Sequence, residues 1–251
     1  MTNRDQIIFF INNFLNISSY KDNSSNGLQI IGKNDVKKIA LGVSYSLEFL
    51  EKSIELNCDI MIVHHGLFWG KIDRIDNSIL KERIKKVFDH DLNLAAYHLP
   101  LDGNEEIGNN VSLCNELGFK FDKMFCDYEG KKIGTLCTNI NNINFKDLKK
   151  IMKNKFDSEP IIFKNNENFK KIGIISGAAG SLVIDALKEN CDTFITGETK
   201  EGSPALAKEA GINIIYMGHY NSEKIGIIKL GKILQKEFNI ETEFIDIPNS
   251  I

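Results

Sequence analysis

The sequence predicts an α/β protein of two related α/β units with mixed, largely parallel sheets. Three observations predict it. Short apolar runs alternate with amphipathic stretches along the chain, the strand–helix–strand pattern of α/β layers. The second half repeats the plan of the first. Four of the five histidines stand at the carboxyl ends of predicted strands, where parallel sheets gather their ligands.

The elements follow in order. Ile7–Ile11 reads as one face of a first helix; it is far too short to span a bilayer. Ile39–Val43 is an apolar run suited to a buried strand, followed by an amphipathic stretch from Ser46 to Leu56 and a second run, Ile60–Val63. A polar helix is expected around Asn77–Phe88, then the strand Leu92–Tyr97. Lys37-Lys38-Ile39 recurs as Lys170-Lys171-Ile172, a shift of 133 positions, and Asn57-Cys58-Asp59 recurs as Asn190-Cys191-Asp192 at the same shift. Leu92-Asn93-Leu94 parallels Ile212-Asn213-Ile214. A duplication of this kind divides the chain near Phe125–Gly130, giving units 1–126 and 127–251. Asn139–Asn144 and Asn165–Asn168 are expected loops.

With 251 residues and 42% hydrophobic content, the chain can bury one large core or two small ones. Its 31 basic and 34 acidic residues leave a net charge of −3, which argues against a broad nucleic-acid footprint. The five cysteines, Cys58, Cys114, Cys126, Cys137 and Cys191, are scattered with no Cys-x-x-Cys pair. Reduced thiols in a soluble cytoplasmic protein are the plain expectation.

Ile60–Val63 runs into His64-His65-Gly66, Leu94–Tyr97 into His98 and Asp102, and Ile214–Met217 into Gly218-His219 with Glu223 beyond. Neighbouring strand residues point to opposite faces. His64 and His65 are therefore expected to share a site only where the strand yields to a loop. Pro100 argues against a helix carrying His98 and Asp102, so Asp102 is expected to reach inward from a loop. Glu223 is placed in the first turn of a helix capped by Asn221 or Ser222. Imidazoles and carboxylates without thiolates form a donor set for zinc, manganese, iron or nickel. Three histidines and two acids exceed one ion's need and suit two. Against this stands packing, the commoner role of any single strand-end histidine.

The stretches Asn26-Gly27-Leu28-Gln29, Val63–Trp69, Tyr97–Asp102, Ile195–Glu198 and Gly218–Glu223 together resemble the GTP cyclohydrolase I type 2 homologue family, the NIF-three-like dinuclear metal proteins. The resemblance covers nearly the whole chain and is closest to short bacterial members. It implies two divalent metal ions at strand ends between the units. His64 and His219 would hold one, His65 and Asp102 the other, and Glu223 would bridge both. It also implies a toroidal homohexamer. A candidate reaction comes with it: hydrolytic opening of the imidazole ring of GTP, releasing formate and giving dihydroneopterin triphosphate. His98 and Glu198 are then the candidate catalytic groups, moving protons beside the metals. The alternative is a metal-binding, metal-delivery or adaptor protein without chemistry.

Two further features each admit two readings. Gly173–Gly180 reads as a tight strand-to-helix turn or as a backbone cradle for a substrate phosphate. Phe68, Trp69 and Tyr220 flank the candidate ligands and either stack on a flat heterocycle or pack. No membrane partner is expected, and a nucleotide-like substrate is.

Overall fold

A computed structural model describes residues 2–70 and 75–249. In chain order the elements begin with β1 (Thr2–Asn3), α1 (Arg4–Phe14), β2 (Gly27–Ile30), β3 (Asp35–Val36), β4 (Lys38–Ser44) and α2 (Leu47–Glu55). Next come β5 (Ile60–His65), α3 (Ser78–Asp89), β6 (Asn93–Ala96), α4 (Leu99–Asp102) and α5 (Asn109–Glu116). The middle of the chain forms β7 (Lys120–Tyr128), β8 (Lys131–Thr138), α6 (Phe145–Phe156), β9 (Ile161–Phe163) and β10 (Lys171–Ile175). Last are α7 (Val183–Lys188), β11 (Thr193–Thr196), α8 (Ser203–Glu209), β12 (Asn213–Tyr216), α9 (His219–Phe238) and β13 (Glu241–Phe244).

Two compact units result. The first comprises Met1–Leu101 and Ile227–Ile247, the second Asp102–Gly226 and Pro248–Ile251. The division differs from the one expected at 126/127, which falls inside β7. By the repeat, Phe125–Gly130 is the expected seam between the units. It instead carries the strand into an antiparallel hairpin, β7 on β8, turning at Glu129 and Gly130, both at positive φ. The chain also returns to the first unit, where β13 lies parallel to β4.

The first sheet has the order β13-β4-β5-β6-β2, with every pairing parallel except that of β2. Phe49 and Leu50 of α2 and Val87 of α3 pack with Met61, Val63 and Leu94. The second sheet is mixed, ordered β7-β8-β10-β11-β12-β9, with β10, β11 and β12 parallel. Its core joins Leu148 and Met152 of α6 to Ile172, Ile174, Ile195 and Ile215. No helix among the described residues is long and apolar enough to cross a membrane. The five cysteines are unpaired, and burial pushes the Cys58 thiol up to about 11.

The sequence identities between the halves have local physical causes. Ile39 pairs with Ile60 as Ile172 pairs with Thr193, and Ile60 pairs with Asn93 as Thr193 pairs with Asn213. Asn57 and Asn190 both take the left-handed conformation that asparagine tolerates, with φ 54° and 58°. Asp59 accepts the backbone N–H groups of Lys37 and Lys38, and Asp192 those of Lys170 and Lys171. Asn93 Oδ1 accepts from Gly32 N at 2.8 Å while its amide donates to the Lys33 carbonyl. Asn213 Oδ1 accepts from Asn165 N at 2.8 Å and Asn166 N at 3.0 Å, and its amide donates to the Asn168 carbonyl. Each asparagine is fully buried and pins a loop to a sheet. Asn213→Ala leaves those groups without partners and is expected to destabilise the chain by about 3 kcal/mol in urea unfolding. A loss below about 1 kcal/mol would remove the pinning role.

Candidate metal centre

In the first unit, β5 continues through both histidines. Strand alternation sends His64 into the interior, fully buried, and leaves His65 partly exposed. Their rings nevertheless approach to 4.6 Å between centroids, so no loop is needed to bring them together. His98, just past β6, lies 5.1 Å from His64 and 5.6 Å from His65. Ligand-capable nitrogens of these three residues lie within 4.8 Å of one another.

The loop after β5 is fixed by the second strand. Gln29 Oε1 accepts from Leu67 N at 2.8 Å, and its amide donates to the Ser25 carbonyl. At Gly66 a Cβ would stand 2.4 Å from Gln29 Oε1 and 2.5 Å from the Ala96 Cβ. Only glycine lets the strand end this close to both. Asn26 Oδ1 accepts the backbone N–H of His98 at 2.7 Å.

In the second unit, α9 starts at His219, not at the expected caps. Ser222 Oγ donates to the His219 carbonyl and accepts from Gly177 N. Glu223 therefore stands one turn beyond His219 on the same face, and its Oε2 lies 2.9 Å from His219 Nε2. Asp102 closes the single turn α4. The helix tolerates Pro100 because the proline sits in the first turn, where the missing N–H has no partner to lose. The Asp102 carboxylate is buried and takes hydrogen bonds from Asn109 Nδ2 at 2.8 Å and Ser176 Oγ at 3.2 Å.

The Gly173–Gly180 stretch is a tight turn serving these groups. Gly177 has φ +65°, and its carbonyl accepts from Gly197 N and Glu198 N. A Cβ there would stand 2.3 Å from Glu223 Oε1.

The imidazoles share one arrangement. His64 Nδ1 is 2.8 Å from the Tyr97 carbonyl, His65 Nδ1 2.9 Å from Ser44 Oγ, His98 Nδ1 2.9 Å from Asp22 Oδ1, and His219 Nδ1 2.6 Å from Glu198 Oε1. With Nδ1 held in every case, Nε2 is the atom each ring presents. This is how metal-ligating histidines are oriented, through the other ring nitrogen. The donor set fits a divalent transition metal, with imidazole nitrogens and buried carboxylates and no thiolate. Burial disfavours the charged form of His219, but Glu223 and then Glu198 outweigh it and push the imidazole up to about 9. A cation reaching Nε2 takes the place of that proton.

Glu198, the other residue expected to move protons, has its carboxylate on His219 Nδ1. Trp69 is 39% exposed, with its ring 4.9 Å from His98, whereas Tyr220 is buried and Phe68 packs on the first core.

The Duf34/NIF3 (NGG1p interacting factor 3) profile matches residues 2–250. The chain belongs to the Duf34/NIF3 family. Among family relatives, proteins called GTP cyclohydrolase 1 type 2 homolog are 35% identical in Archaeoglobus fulgidus, covering 99% of this chain and 100% of that one, and 36% identical in Pyrococcus horikoshii, covering 99% of each. Two solved structures are similar over 100% of both chains: protein ybgI, described as of unknown function, at 29% identity and TM-score 0.93, and TTHA1606 from Thermus thermophilus at 30% and 0.84. The mixed α/β fold is therefore that of the Duf34/NIF3 proteins, and the described residues include His, Asp and Glu clusters of a kind that can hold a metal ion.

Sequence reasoning missed Asp22, Ser44, Asn109 and Ser176, which hold the candidate ligands and His98. Asn26 and Gln29 were signalled by the Asn-Gly-Leu-Gln stretch, but nothing in the sequence told their role. Asp22 has a measurable consequence. Burial raises its pKa, but the hydrogen bond from His98 and the charge His98 carries at acid pH, with Asn26 and Ser24, prevail and hold it at about 2 against an ordinary 3.8. The folded chain therefore favours the carboxylate, contributing roughly 2 kcal/mol that is complete above about pH 5 and drains away as pH falls through 3.8 towards 2. Asp22→Asn is expected to flatten that acid limb in urea unfolding at a series of pH values. An unchanged limb would assign it to other carboxylates.

Proposed function

We propose that the chain holds two divalent cations through His64, His65, Asp102, His219 and Glu223 and uses them as a metal-dependent hydrolase. The supporting observation is the shared fixing of Nδ1 on His64, His65 and His219, which leaves Nε2 of each as the ligand atom. Zinc, iron, manganese and nickel all suit such donors. When bound, the cations supply Lewis acidity, which acidifies water and polarises the bond under attack.

The residues do the rest. Tyr97, Ser44 and Glu198 orient the imidazoles, and Asn109 and Ser176 hold Asp102. His98 faces His64 and His65 without being needed as a ligand, so it is the group that meets the reacting molecule. Glu198 acts through His219 as a positioning residue. Trp69, exposed beside His98, offers a face for a flat heterocycle, which favours a nucleotide-like substrate.

GTP is the substrate to try first, because relatives bear the name GTP cyclohydrolase 1 type 2 homolog. Metal-loaded protein incubated with GTP is expected to release formate and a fluorescent pterin. Absence of both at confirmed metal occupancy would sink the cyclohydrolase and favour a metal-binding or delivery role. The same reading includes a toroidal homohexamer, which light scattering tests as a mass about six times the 28.4 kDa chain.

A further inference from the structure

We propose that Asp22 is a positioning residue that fixes His98 with its proton on Nδ1, making His98 Nε2 the hydrogen-bond acceptor that faces His64 and His65. The functional half of this inference rests on the metal-site reading above; the tautomer half does not.

Asp22 lies in the loop before β2, far from His98 in sequence. Its side chain is 3% exposed, and its two oxygens lie 2.9 and 3.2 Å from His98 Nδ1. An ionised carboxylate only accepts hydrogen bonds, so in the neutral imidazole the hydrogen sits on Nδ1 and leaves Nε2 as the acceptor. Free histidine side chains favour the proton on Nε2, and the carboxylate reverses that preference. The clamp is over-built for a simple turn. Asp22 also accepts from Ser24 N at 3.0 Å, Asn26 Nδ2 at 2.9 Å and Leu99 N at 2.9 Å, while Asn26 accepts the backbone N–H of His98 itself. One short loop thus holds both the backbone and the ring of His98. Trp69, edge-on at 4.9 Å, limits the ring from another side.

What an acceptor contributes there is selectivity. A molecule seated beside His64 and His65 gains a hydrogen bond only if it presents an O–H or N–H to His98 Nε2. Water, hydroxyls and ring N–H groups qualify; a bare carboxylate does not.

Two measurements on the full-length protein test this. Side-chain 15N spectra of the metal-free protein are expected to show His98 protonated on Nδ1. In Asp22→Ala the tautomer ratio is expected to move towards Nε2 by at least about tenfold, with His64, held by the Tyr97 carbonyl, unchanged as an internal control. Asp22→Asn, which keeps the side-chain shape, covers the case in which Asp22→Ala does not fold. Its amide can serve only one of the two donor pairs, so its His98 is expected to populate both tautomers. A His98 proton on Nε2 in the wild type, or an unchanged ratio in the variants, overturns the proposal.

Zinc-loaded protein is then titrated with acetohydroxamate, which carries an N–H beside its chelating oxygens, and with acetate, which carries none. His98→Phe and the folded Asp22 variant are expected to weaken the hydroxamate by about tenfold and acetate by less than about twofold. Equal losses for both probes overturn the acceptor role. Failure of the wild type to bind zinc would count against the metal-site reading alone, since the tautomer result is read without metal.

Discussion

Glu223→Ala is expected to lower bound metal from two ions per chain to fewer than one. Glu223 is 3% exposed and stands 2.9 Å from His219 Nε2, so its carboxylate has little freedom to be replaced by solvent. In the proposed centre it is the one group shared by both ions, whereas each histidine serves one. Removing it withdraws a charge from two positions at once, and affinity for the pair is expected to fall by more than about a hundredfold, beyond the 10–100-fold typical of losing an outer partner. His64→Ala, by contrast, should empty mainly one position. Elemental analysis after gel filtration, with zinc calorimetry, compares the two. Full two-ion loading in Glu223→Ala would contradict the bridging assignment.

The second large effect is expected from the addition of a single methyl group. Gly177→Ala places a Cβ 2.3 Å from Glu223 Oε1 in a residue whose φ is +65°. The left-handed backbone alone costs an L-residue roughly 1–2 kcal/mol, and forcing a methyl into a filled space adds roughly 1–3 kcal/mol. A total near 3 kcal/mol is expected in urea unfolding, together with a drop in metal affinity because Glu223 must move. Both readouts matter. Wild-type stability in Gly177→Ala would show that the turn has room to relax, and lost stability with normal zinc binding would separate the fold of the turn from the seat of Glu223.

Much of this was legible in the sequence because strands announce their ends. Ile60–Val63 and Ile214–Met217 are unbroken apolar runs, so the polar residues that follow them had to lie at the carboxyl ends of strands. The paired Lys-Lys and Asn-Cys-Asp repeats were equally readable, and their cause is now visible in the aspartate that ties each lysine backbone down. What escaped was carried by weak local signals. β7 alternates charged residues with Phe121, Met124 and Phe125 too irregularly to look like a strand, and its register shifts near Phe121. Pro100 read as a helix breaker because its rank within the turn cannot be known before the turn is placed. Asp22 was invisible for a different reason: a polar loop residue reveals nothing about a partner 76 positions away.

The return of the chain to the first unit has a consequence for how the protein is made. Residues 102–226 are continuous and hold all six strands of the second sheet, so that sheet is complete in sequence before β13 is made. The first sheet gains its outer strand, β13 against β4, only once Phe244 has left the ribosome. Until then β4 exposes an unpaired edge on a half-built sheet, the kind of surface that invites aggregation. Of the two sheets, the one begun earlier along the chain is thus the one finished later.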